Sequence, residues 1–172
     1  MKTSDNPTSE KTVIINRVFV TPLETLWKAW THADAMKHWW GPKMYTCPYF
    51  SIDFRVGGKY LGCMKDHNHN ETWGTGVYKE IEEGRKIVFT DNFSDNMGNI
   101  ITPEEAGMPG NWSGEMIVTL EFDENYGKTD FTLKHEGIPA DMHDDCTKGW
   151  QESLDKLEAY LKSEHVQEHK HK

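Results

Sequence analysis

The residues best equipped for chemistry in this 172-residue chain are its nine histidines, three cysteines and 28 carboxylates. Their spacing limits what they can do. Cys63, His67 and His69 fall close together, and His143, Asp144, Asp145 and Cys146 form a second group. Zinc needs ligands that converge at bonding distance, and neither group contains a CxxC loop or a histidine pair four residues apart. The first group reads as an exposed turn. In the second, Asp144 and Asp145 suit the capping of a helix start while Cys146 faces the core. No metal site and no cofactor are expected, and the tail histidines His165, His169 and His171 would pick up only adventitious metal.

Nucleophilic catalysis needs a serine or cysteine beside a positioned base. Cys63 and His135 lie on strands that could share an interior, but nothing in the sequence brings them together. Asp53 alternates with an apolar set, so it should point outward and pair with Arg55 or a neighbour. No catalytic residue is assigned. Gly57-Gly58 lacks the Lys-Ser/Thr and the strand–loop–helix setting of a phosphate loop, and reads as a tight hairpin. Gly74-Thr75-Gly76 lies inside a strand, where small residues suit a bend or a close helix approach.

The stronger signal is aromatic. Seven Trp, seven Phe and six Tyr stand out in a chain that is only 36% hydrophobic. Many must be core, but large rings with flexible Met also build pockets for flat apolar ligands. The candidate ligand-binding residues are Trp40, Tyr60, Trp73, Tyr78, Phe89, Phe93, Trp112, Met116, His135 and Trp150, with Arg17 as a further polar group. In the stretch Lys37-His38-Trp39-Trp40-Gly41-Pro42, Trp39 should anchor a helix to the sheet while Trp40 faces a cavity.

The elements that must position these residues follow from periodicity. Residues 12–20 read as a strand. Thr21-Pro22 should open a short helix, and a second short helix, capped near Thr31, should end at Gly41-Pro42. From Tyr45 to His135 the period is two: Phe50, Ile52, Phe54 and Val56 form one strand, Met116, Val118, Leu120 and Phe122 another. Cys146, Trp150, Leu154, Leu157 and Leu161 then form one apolar stripe on a long helix. Residues 94–111 are too apolar for a free loop and predict a lid or a dimer contact. The expected fold class is α+β, a curved antiparallel sheet of about seven strands wrapped around the C-terminal helix. Residues 11–162 form the single domain, flanked by flexible ends at 1–10 and 163–172.

Bulk properties exclude several functions. A net charge of −9 without a basic stripe disfavours nucleic acid and anionic membranes. The first residues lack the apolar core of a secretion signal, and no run approaches a membrane span. Odd, well-separated cysteines suit free thiols in a reducing compartment, so the protein is expected in the cytoplasm.

Several motifs carry a family resemblance. They are Arg17-Val18-Phe19, Trp27-Lys28-Ala29-Trp30-Thr31, His38-Trp39-Trp40-Gly41-Pro42, Asp53-Phe54-Arg55-Val56-Gly57-Gly58, Gly76-Val77-Tyr78-Lys79-Glu80-Ile81 and His135-Glu136-Gly137-Ile138-Pro139, ending at Gly149-Trp150. In order and spacing over residues 11–162 the chain resembles the START-like (SRPBCC, helix-grip) superfamily, and within it the bacterial homologues of the heat-shock-ATPase activator. The resemblance implies the helix-grip fold and an internal cavity, but no particular reaction. The expected function is binding of a small hydrophobic or aromatic ligand in that cavity. The alternatives are a cyclase- or hydrolase-like enzyme using the same cavity, and a chaperone-linked or regulatory interaction protein. The eukaryotic activator docks largely through a separate charged amino-terminal domain that has no counterpart here, which counts against chaperone contact. A homodimer is the remaining partner expectation.

Overall fold

The computed structural model describes residues 11–112 and 114–170; the expectation for residues 1–10 lies outside the described residues. The chain runs β1 (Val13–Phe19), α1 (Leu23–Thr31), α2 (Ala33–Trp39), β2 (Thr46–Ile52), β3 (Lys59–Lys65), β4 (Glu71–Glu82), β5 (Lys86–Ser94), β6 (Met116–Asn125), β7 (Lys128–Glu136) and α3 (His143–Lys170). A 3-10 turn, Ala140–Met142, leads into α3. The strands form one sheet in the order β1-β7-β6-β5-β4-β3-β2, with every pair antiparallel. This is the α+β helix-grip arrangement, a curled half-barrel closed by the long C-terminal helix.

Period-two alternation produces the concave face. Met116, Val118, Leu120 and Phe122 of β6 are buried, as are Thr129, Phe131, Leu133 and His135 of β7. The α3 stripe meets them through Leu154, Leu157 and Leu161, all buried. A meander with one charged face must cover the other, and α3 together with α1 and α2 supplies that cover. The helix continues through Lys170, beyond the end of the stripe at Leu161. No helix among the described residues is long and apolar enough to cross a membrane.

Several local expectations are corrected. Thr21 does not cap α1: Pro22 holds the cap position with extended dihedrals and no side-chain bond. Thr21 is buried instead, its carbonyl accepting from the Thr129 hydroxyl at 2.8 Å, and the Leu23 N–H finds Glu124 of β6 at 3.2 Å. Thr31 likewise does not cap α2; its hydroxyl turns back to the Trp27 carbonyl at 2.9 Å, and His32 takes the cap position. At α1 a tertiary partner, Glu124, thus satisfies a group that local capping would otherwise serve.

The β2–β3 hairpin is not a two-residue Gly-Gly turn. β2 ends at Ile52, and residues 53–58 form a loop whose N–H groups donate within it (Arg55 to Asp53, Gly58 to Arg55) and across to Tyr78 (from Gly57). Val56 is therefore exposed, although Phe54 still packs edge-on against Trp27 and Tyr78. Asp53 pairs with Arg55 at 2.9 Å on the surface. A Cβ at Gly58 would overlap the Asp53 carbonyl oxygen, which is why the loop closes on glycine.

Candidate functional site

Between the concave face and α3 lies a cavity of about 300 Å³. Its first wall begins in the sequence HWWGP. Trp39 continues the buried face of α2 and is fully buried, its indole N–H donating to the Ala29 carbonyl at 3.1 Å. One residue later the helix stops, because Gly41 takes a φ of +106° that a side chain would resist. Trp40 therefore leaves the helical face and lines the cavity, edge-on to Phe50 at 5.5 Å and to Trp150 of α3 at 5.6 Å. The turn is pinned from α3. The Lys156 ammonium donates to the carbonyls of Gly41, Pro42 and Tyr45 at 2.9, 3.2 and 2.9 Å. Burial lowers the pKa of that ammonium from its ordinary value.

The floor is made by what the strands omit. Gly62 of β3 faces Gly74 of β4, and Gly74 faces Phe93 of β5. Both glycines line the cavity, but the Phe50 ring already fills the place of a Cβ at Gly62, so Gly74 is the one that leaves open space. Gly76, two residues on, is a different case: a Cβ there would overlap the Thr90 carbonyl oxygen. Its close approach is to the neighbouring strand, whereas the sequence suggested a bend or a close helix approach. The far wall comes from the 94–111 segment and its flank. Met108 and Trp112 line the cavity, with Trp112 edge-on to Phe93 at 5.4 Å, while Met97 and Ile100 are exposed.

Of the ten residues nominated from sequence, eight line this cavity: Trp40, Tyr60, Trp73, Phe93, Trp112, Met116, His135 and Trp150. Tyr78 and Phe89 do not. Each is buried against the other and against Tyr60, bordering a void of about 10 Å³ that no ligand could enter. Arg17 is also elsewhere, holding Asp155 at 2.9 Å and Gln151 at 2.6 Å on α3.

One residue that the sequence reading passed over completes the site. Asp91 occupies the inward parity of β5 between Phe89 and Phe93, and lines the cavity. Its Oδ1 accepts from the Tyr60 hydroxyl at 2.9 Å, and its Oδ2 lies 3.4 Å from His135 Nε2. His135 is buried, and its Nδ1 accepts from the Trp150 indole N–H at 2.9 Å. An indole nitrogen can only donate, so the Nδ1 lone pair faces it and the imidazole proton sits on Nε2. Burial, then the neighbouring Asp91, hold the Tyr60 phenol well above its usual pKa, so it stays a donor. One end of an otherwise ring-lined space is therefore a fixed polar cluster offering one donor and one acceptor.

The cysteines add no nucleophile at neutral pH. Burial, and secondarily Glu71, push the fully buried Cys63 thiol up to about 11. Burial, and secondarily Asp145, push Cys146 on the cavity wall up to about 11 as well. A thiol so shifted is a poor attacking group. Among the described residues no three His, Cys, Asp or Glu side chains converge as metal ligands would.

Residues 20–162 match the family model described as activator of Hsp90 ATPase homolog 1-like protein. The chain belongs to that family. Solved structures similar to this activator-homologue chain include a protein from Chromobacterium violaceum, 28% identical with a TM-score of 0.72, covering 91% of this chain and 98% of the other. A protein from Arthrobacter aurescens is similar at 19% identity and a TM-score of 0.74, covering 94% and 90%. An AHSA1 protein from Silicibacter pomeroyi is similar at 22% identity and a TM-score of 0.71, covering 90% and 100%. At such identities the likeness speaks to the fold. No curated protein shows a significant match to the sequence.

Proposed function

We propose that this member of the family binds a small hydrophobic or aromatic molecule between its sheet and α3, in the cytoplasm. The observation that carries the reading is the glycine-floored cavity of about 300 Å³ under a wall of tryptophans from four different segments. Its size lies at the lower end of the roughly 300–1,000 Å³ typical of small-molecule sites. A fold that wanted only a packed core would place a side chain at Gly74, where a Cβ meets nothing nearer than 3.5 Å, since a void in a core costs stability. The three free cysteines fit a reducing compartment. Native mass spectrometry of freshly purified protein tests the reading. A species heavier than the bare chain by one small organic molecule supports it, and bare chain alone from every source of expression argues against it.

Asp91 beside His135 favours a second reading, acid–base chemistry in the same space, because the two lie near hydrogen-bond reach. In that reading Asp91 is the base and His135 Nε2–H the acid. Turnover of 1-naphthyl acetate above the buffer rate, lost in Asp91→Asn, is the result it requires; a rate equal to buffer dismisses it. An interaction protein would need a broad exposed apolar patch. The exposed Ile14 and Val18 of β1 stand opposite Lys134 and Asp130 of β7, so charge interrupts that face.

A further inference from the structure

The polar end of the cavity is specific about what it can accept. His135 is 5% exposed, and its Nε2 has no hydrogen-bond partner. The ring cannot turn to hide that atom without losing the Trp150 N–H held by Nδ1 at 2.9 Å. Asp91 Oδ2 stands 3.4 Å away, while its Oδ1 is occupied by Tyr60. A donor with no accessible surface and an acceptor of a cavity-lining residue thus stand side by side at one end of the space. Among the described residues lining the cavity there is no Lys or Arg, and Asp145 adds a second carboxylate.

We propose that the cavity selects an uncharged aromatic molecule bearing a hydroxyl group, a phenol or aryl alcohol, whose O–H donates to Asp91 Oδ2 and whose oxygen accepts from His135 Nε2–H. This rests on the ligand-binding reading of the same cavity and names its ligand class. A hydroxyl is both donor and acceptor at one atom, so it satisfies both groups together. A pure hydrocarbon leaves the buried His135 donor unpaired and shields the Asp91 carboxylate from water without replacing its hydrogen bonds, which is costly. A carboxylate ligand meets Asp91 and Asp145 with no cation to offset them. An ammonium suits Asp91 but presents only hydrogens to the Nε2–H. The rings around this end, Trp150, Trp40 and Tyr60, supply flat apolar surface for the body of such a ligand.

The test is isothermal titration calorimetry of the full chain with 2-naphthol, naphthalene and 2-naphthoate at neutral pH. Wild type is expected to bind 2-naphthol at least about tenfold more tightly than naphthalene, since a site built to bond a hydroxyl rejects the analogue lacking it. It should bind 2-naphthoate more weakly than either. In His135→Phe and in Asp91→Ala, with folding checked by circular dichroism, the preference for 2-naphthol should fall to about threefold or less, while naphthalene is retained. Equal binding of 2-naphthol and naphthalene by wild type overturns this inference and leaves the cavity reading intact. A preference for 2-naphthoate overturns it too, as does a hydroxyl preference that survives in both folded variants. Failure of all three probes to bind overturns both. The wild-type comparison stands even where a variant does not fold.

Discussion

Trp39 and Trp40 are adjacent and chemically identical, yet one is core and the other lines a cavity, because a helix end lies between them. The reading of Trp39 as anchor and Trp40 as cavity residue follows from helical spacing, and the coordinates place both rings accordingly. Asp91 shows the opposite. In Lys86-Ile87-Val88-Phe89-Thr90-Asp91-Asn92-Phe93 the alternation puts Asp91 inward, but a carboxylate on an inward parity is usually a sign that the parity has slipped. Only the partners Tyr60 and His135, 31 and 44 positions away in sequence, make that position tolerable. Cys146 gives a test at this scale. Because its pKa is raised to about 11, the reactive thiolate is scarce at neutral pH and increases with rising pH until that value. Its alkylation by iodoacetamide, followed by peptide mapping, should climb about tenfold per pH unit between 7 and 9 without a plateau. A plateau below pH 9 would show an ordinary or activated thiol. A bound apolar probe should also slow the reaction, since Cys146 shares the cavity wall.

At the scale of the elements, strands and helices were legible because apolar residues recur at two and at three to four. The seven strands, the two short helices and the α3 stripe all follow from that pattern. What it could not give was the role of the glycines. Gly74 and Gly76 share a face of β4 and look alike in sequence. In the structure a Cβ at Gly74 meets nothing nearer than the Asn92 carbonyl oxygen at 3.5 Å, while one at Gly76 would overlap the Thr90 carbonyl. Gly76 is required by backbone approach, Gly74 by the space it leaves. Gly74→Leu should therefore fold with a melting temperature within about 5 °C of wild type, whereas Gly76→Ala should lose roughly 3 kcal/mol. Chemical and thermal denaturation distinguish them, and equal destabilisation would refute the assignment. The helix caps were misread because each threonine oxygen has another partner: the Thr21 carbonyl is held across the fold by Thr129, and the Thr31 hydroxyl turns back to the Trp27 carbonyl of its own helix.

At the scale of the whole molecule, an acidic surface surrounds a sheet wrapped around one helix, and the wrap does not close. The Lys156 clamp on the Gly41–Tyr45 turn and the packing of Trp112 on Phe93 hold two sides of the remaining space apart. Solved structures share this architecture at low identity, and in this chain the cavity wall is rich in tryptophan with one polar end. The central claim, that this space is a binding site and not a packing defect, is tested most directly by fluorescence titration with the uncharged dye N-phenyl-1-naphthylamine. Wild type should enhance the dye's emission saturably at one site per chain, and folded Gly74→Leu should bind it at least about tenfold more weakly. Absence of saturable enhancement in wild type, or equal binding by Gly74→Leu, would contradict the account.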